Sequence, residues 1–190
     1  GEDTLSLHDA LPIFTNRPVL SENMARGGYK LLPSAGINAN QAGLWLNHST
    51  SNAKLQKLIR NKDFRIALSH AIDRREINDI VYLGQGMPWQ IGPLKQSKWF
   101  NEKLGTQYLD MDLKRANALL DGIGLSKRDG DGFRLYPDGG RVSMNAIVSI
   151  AWSNQVETLE LIRRHLAKAG IELVIRSSER SLFYDRANSN

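Results

Sequence analysis

VSMNAIVSIAWSNQVETLELIRRHLAKAGIELVI, residues 142–175, changes hydrophobic period twice, and those changes decide the fold class. Val142, Met144, Ala146, Val148 and Ile150 recur at every second position, which sets them on one face of a strand. Asn154 precedes a helical pattern in which Val156, Leu159, Ile162 and Leu166 share a face, and Gly170 ends it. Ile171, Leu173 and Ile175 then alternate as a second strand. A crossover of this length makes the two strands parallel neighbours with a right-handed connection. Leu182, Phe183 and Arg186 read as a short final helix, and the class is α/β, a mixed α+β arrangement.

Working upstream, Phe64, Ala67, Leu68, Ala71 and Ile72 fall on one helix face, with Leu68 at the centre of the buried stripe. Asp73 stands three residues before Glu76, a capping-box arrangement that starts a second helix through Ile77, Ile80 and Val81 and ends it at Gly84. Asp112 can cap a helix bearing Leu113, Ala116, Leu119 and Leu120, stopped by Gly122 or Gly124. Asp129-Gly130-Asp131-Gly132 and Asp138-Gly139-Gly140 flank a hairpin. Tyr29 to Leu32 and Ala42 to Asn47 are strand candidates, the second buried through Leu44, Trp45 and Leu46.

The 190 residues suffice for one domain with a real core, and 25 Lys plus Arg against 20 Asp plus Glu give a net charge of +5. The absence of cysteine excludes thiolate catalysis, disulfides and Cys-based metal sites. No run approaches the roughly 18 apolar residues that a spanning helix needs. The basic residues, including Lys54, Lys57, Arg60, Lys62, Arg65, Arg74, Arg75, Arg163 and Arg164, lie on polar helix faces among acids, so a solvated surface is preferred to a nucleic-acid site and Arg74 is expected in solvent. Arg65, Ser69 and Asp73, spaced by four, suggest a polar seam.

Catalytic readings find little support. Ser69 and His70 adjoin on a helix, about 100° apart, and cannot meet as nucleophile and base. The histidines at 8, 48, 70 and 165 are scattered, without metal-ligand spacing. A calcium loop ending at Asp138 would start at Lys127, which offers no oxygen. Gly84-Gln85-Gly86 lacks the third glycine of a dinucleotide fingerprint and follows a helix. No cofactor or metal is called for. A hydrolase or transferase would need a nucleophile–base pair that the sequence does not supply.

Thr4 to Ile13 is similar to one reading frame of a short-read sequencing adapter, so residues 1–13 are expected to be a non-native leader, loosely attached. Ser6, His8 and Asp9 then carry no evolved chemistry, and the fold proper occupies residues 14–190.

Between Gly84 and Asn101 the periodicity fails, and Gly86, Pro88, Gly92 and Pro93 interleave with Trp89 and Trp99 in a structured loop of the kind that carries function. Trp152 follows a strand's carboxyl end, where open α/β sheets bind ligands. Core packing is the competing role for each tryptophan.

Asn61-Lys62-Asp63-Phe64-Arg65-Ile66-Ala67-Leu68-Ser69-His70-Ala71-Ile72-Asp73-Arg74-Arg75-Glu76-Ile77, followed by Val81-Tyr82-Leu83-Gly84-Gln85-Gly86, resembles family 5 extracellular solute-binding proteins, the peptide, nickel and oligosaccharide receptors of bacterial ABC importers. Asn117 to Asp121, Asp131 to Leu135 and Glu179 to Tyr184 fall in the family's order. The resemblance implies one lobe of a periplasmic binding protein type II-like fold, here a partial second lobe, which closes with a first lobe over a peptide or oligosaccharide. It implies a periplasmic or envelope-anchored monomer, an inner-membrane ABC permease as partner, no nucleic acid and no catalysis. Positions similar to cleft-lining ones are Asn47 and Gln90, as hydrogen-bonding groups, and Trp89 and Trp152, as stacking surfaces.

Overall fold

The computed structural model describes residues 13–32 and 40–189. Apart from Ile13, the expected leader lies outside the described residues. The chain begins with α1 (Ile13–Glu22) and the single turn α2 (Met24–Gly27), and the Tyr29 hydroxyl donates to Leu20 O at 2.6 Å. Residues 28–32 form no strand and pair with no ladder among the described residues.

Three helices follow the irregular segment at 43–47: α3 (Ala53–Arg60), α4 (Lys62–Ala71) and α5 (Arg74–Val81). Each starts on a side-chain oxygen. Asn52 accepts from Leu55 N, Asn61 from Asp63 N and Phe64 N, and Asp73 from Arg75 N and Glu76 N. Such caps satisfy amides that the first helical turn leaves without partners. Asp73 thus starts α5 as its spacing predicts, and Tyr82 N and Gly84 N both donate to Asn78 O as the helix closes. Gly84 takes φ +70°, a left-handed turn that suits glycine.

After the Gly/Pro loop come the short α6 (Glu102–Thr106) and α7 (Leu113–Gly122), the latter capped by Asp112 at 2.8 Å from Arg115 N. Antiparallel bridges Arg128–Arg134 and Leu135–Arg141 close the expected hairpin. Then β1 (Ser143–Ser149), α8 (Ser153–Lys168), β2 (Glu172–Ser178) and α9 (Arg180–Ser189) complete the β-α-β-α series, with β1 and β2 parallel and Ser149 paired with Ser178.

The core lies where α4 packs on α7 and α8 joins α4 to this sheet. Phe64, Ala67, Leu68 and Ala71 of α4 pack with Ala116 and Leu120 of α7, Ile162 and Leu166 of α8, and Met144, Val148 and Leu173 of the strands. Leu68 is buried as predicted. Among these apolar groups stands Arg134, 1% exposed, donating to Ala169 O, Leu125 O, Asp121 Oδ1 and Asn117 Oδ1. It ties the ends of α7 and α8 to the hairpin. A second internal bond joins α5 to α8: the buried His165 Nε2 meets Glu76 Oε2 at 2.5 Å, while Asp73 N donates to His165 Nδ1. That hydrogen bond holds the Glu76 carboxyl below the usual carboxylate range.

Three further expectations need correction. The segment Ala42 to Asn47 is not a buried strand: it belongs to no sheet among the described residues, with Leu44 and Leu46 half-buried and Trp45 79% exposed. Period two permits either parity, and here the two leucines take the core side. Arg65, Ser69 and Asp73 form no common seam, since Arg65 donates to Ile59 O and Arg60 O while Ser69 and Asp73 serve other partners. Arg74 is half-buried rather than solvated, and burial lowers its guanidinium from the ordinary value.

Candidate functional site

The Gly/Pro loop is fastened to the chain around α6 by a backbone bond and an aromatic stack. Gln90 N donates to Gly105 O at 2.8 Å, and the Trp89 ring stacks on Phe100 with centroids 5.7 Å apart and planes 10° from parallel. A side chain at Gly105 would collide with the Trp89 indole, so glycine is what lets ring and helix α6 touch. Trp89, Ile91, Pro93, Trp99, Phe100 and Leu104 line a small cleft of about 90 Å³. A larger shallow groove, about 320 Å³, lies between α5 and α8 and touches none of the predicted site residues.

The segment at 40–45 runs beside this loop. Gly92 N donates to Asn40 Oδ1, and Gly43 lies against Ile91 and close to Trp45. The same segment reaches the start of α8, where Gln155 Nε2 donates to Gln41 O at 3.3 Å. The Trp89 loop and the residues beyond Trp152 are therefore linked through one strip of chain. Trp152 itself packs edge-on against Phe183 and Tyr184 of α9, at centroid distances of 5.1 and 6.2 Å. Asn47 is exposed at the far end of the strip, and its Oδ1 accepts from Ser49 N and Ser49 Oγ.

Gln90 is engaged inward. Its Nε2 donates to Gln107 O at 2.8 Å and to Ser69 Oγ at 3.0 Å, leaving Oε1 as the side-chain atom for any polar contact outside. The sequence reading missed the exposure of Trp45, at 79%, and the exposed Ile91, which lines the cleft with Trp89. Trp99, 72% exposed with Lys98 5.0 Å over its ring, borders the cleft. The Leu-Trp-Leu run disguised Trp45 as core, whereas the Gly/Pro setting of Trp99 was a usable signal.

A family model described as bacterial extracellular solute-binding proteins, family 5 Middle, matches residues 12–190. The chain belongs to that family. One relative, the periplasmic alpha-galactoside-binding protein of Rhizobium meliloti (strain 1021), is 30% identical over 127 residues, which are 65% of this chain and 18% of the relative. The oligopeptide-binding protein OppA matches with TM-score 0.78 and 35% identity over 92% of this chain and 27% of its own. The periplasmic binding protein MelB of Agrobacterium fabrum C58, solved in complex with stachyose, gives TM-score 0.57 and 30% identity over 68% of this chain and 20% of its own. The chain thus spans less than a third of the length of these relatives. Its mixed helix and strand architecture is that of part of a family 5 lobe, as the sequence reading expects.

Proposed function

We propose that this chain is one wall of a family 5 receptor that captures an oligosaccharide or short peptide by lobe closure and passes it to an inner-membrane ABC permease. The carrying observation is the aromatic surface around the Gly/Pro loop: Trp89, Ile91 and the exposed Trp99 line one cleft, and the 40–45 strip, which carries the exposed Trp45, lies against Ile91 and reaches the start of α8. In this reading Trp89 and Trp152 offer flat faces to a sugar ring or an apolar side chain, and Asn47 and Gln90 supply polar contacts, Gln90 through Oε1 alone. In this reading the solute is bound and released without covalent change. The receptor works as a periplasmic or envelope-anchored monomer and ignores nucleic acid. The named ligands of the relatives, alpha-galactosides and oligopeptides, mark the two solute classes to try first.

One wall supplies part of the contacts and leaves the solute wet, so this chain should bind weakly. Calorimetric titration with stachyose and with a short peptide tests the reading. A millimolar Kd for one of them, weakened by Trp89→Ala or Trp152→Ala, is expected. Micromolar affinity would overturn the one-wall argument, consumption of either compound would overturn the receptor reading, and silence from both would remove the site.

A further inference from the structure

Four successive carbonyls, those of Gln107, Tyr108, Leu109 and Asp110, each meet a polar side chain from elsewhere in the fold. Gln107 O accepts from Gln90 Nε2 at 2.8 Å, Tyr108 O from Ser69 Oγ at 2.8 Å, and Leu109 O from Arg74 Nη1 at 3.1 Å. Asp110 O lies 2.9 Å from His70 Nδ1, and a carbonyl partner requires that nitrogen to carry the proton. Tyr108 sits at φ +56°, a left-handed conformation that a bulky residue adopts only when its surroundings impose it. This loop is therefore shaped by side chains rather than by its own sequence.

Arg74 is the hub. Its Nη1 also donates to Ser69 O at 2.9 Å, and its Nη2 donates to Ser69 Oγ at 2.8 Å. Ser69 Oγ has one hydrogen and gives it to Tyr108 O, so towards Arg74 and Gln90 it acts as acceptor. The order is Arg74 to Ser69 to Gln90, and the next residue in the chain is Trp89. The planar, permanently charged fork reaches two carbonyls from one nitrogen and a hydroxyl from the other, a spread of donors that the single nitrogen of a lysine does not reproduce.

We propose that Arg74 is a positioning residue for the solute-facing loop: acting through Ser69 and Gln90, it fixes where the Trp89 ring stands. The functional part rests on the receptor reading above, while the mechanical part does not. Arg74 touches no solute. Its effect on binding is exerted by ordering, in advance, a ring that would otherwise have to be ordered when the solute arrives.

The test is amide hydrogen exchange on the whole chain, read at Gln90, whose N–H is bonded to Gly105 O, and at Leu173 in β2 as the remote reference. In Arg74→Ala the Gln90 amide should exchange faster by about tenfold, as expected for the loss of a local tie, while Leu173 stays unchanged. Trp89 emission, isolated by subtracting a Trp89→Phe spectrum, should shift with it. Arg74→Lys should recover less than half of the protection. If Arg74→Ala does not fold, Ser69→Ala cuts the same chain of bonds one link later and should produce the same local loss. Unchanged exchange at Gln90, or equal acceleration at Gln90 and Leu173, overturns the proposal. A loosened loop with unaltered stachyose and peptide titrations leaves Arg74 as the positioning residue for Trp89 and overturns the receptor reading at that ring.

Discussion

Replacing Gly105 with alanine should separate the packing of the Trp89 wall from the rest of the fold. The new methyl group falls among Cε2, Cζ2 and Nε1 of the indole, more than about 1 Å inside ordinary carbon contact. The ring cannot simply retreat, because Phe100 stacks on it at 5.7 Å and Gln90 N is tied to Gly105 O. Overpacking of this kind costs about 1–3 kcal/mol, and a weakened Gln90 bond adds about 1 kcal/mol. Alanine in α6 recovers about 1 kcal/mol of helix propensity, so a net loss of about 1–3 kcal/mol is expected. Calorimetric unfolding of Gly105→Ala measures it, and a Trp89→Ala background isolates its cause. With the indole gone the methyl has room, and Gly105→Ala should become neutral or stabilising. An equal cost in both backgrounds would refute the claim that Gly105 is glycine on account of Trp89.

Leu68→Ala should lower stability by about 2–5 kcal/mol in denaturant unfolding, since the side chain is 4% exposed at the junction of α4 with α7 and α8; a change below about 1 kcal/mol would contradict its place in the core. Arg134→Met should cost about 1–3 kcal/mol, because it strips the donor from the buried Leu125 carbonyl while Ala169 O keeps Arg128 Nη2 as a second donor, and a neutral outcome would mean that water replaces it. The carboxyls of Glu76, Asp138 and Glu172 are all held below their usual range, Glu76 by His165, Asp138 by Lys54, and Glu172 by Ser143 and Arg141. A depressed folded-state value gives stability that is present above the unfolded value, about 4, and is lost as pH falls through the lower folded one. Thermal unfolding should therefore be level from neutrality to about pH 5 and decline below about pH 4, with a shallower acid decline in Glu76→Gln; an identical slope would disprove the Glu76–His165 contribution.

The fold was readable wherever one element's periodicity and its cap agree over a short stretch. Residues 142–175 announced strand, helix and strand by period alone, and Asp73 and Asp112 marked helix starts through bonds to amides two or three residues away. The site was harder because its determinants are tertiary. Nothing local says that Arg74 turns back to Ser69 and on to Leu109, or that the Gln90 amide reaches Gln107. Its neighbours Asp73, Arg75 and Glu76 are charged, so a solvated face was the natural reading. Trp45 failed for a different reason: an apolar run of three cannot report its own parity, and only the docking of Leu44 and Leu46 onto the core decides which way the ring faces. The left-handed turn at Tyr108 carries no residue that advertises it.

The strip that joins the Trp89 loop to α8 has a consequence for the order in which the chain folds. β1, α8 and β2 are consecutive, so their mutual contacts close over short lengths of chain and can form early. By contrast, the bond from Gln155 to Gln41 spans 114 positions and that from Gly92 to Asn40 spans 52. Closing such loops costs entropy before any contact rewards it. We expect the 40–47 segment to dock last during refolding and to detach first under mild denaturant, ahead of cooperative unfolding, with limited proteolysis cutting there while the βαβ unit stays whole. The surface that carries Trp45 is then the least durable seam of the molecule, assembled only after the framework that it lies upon.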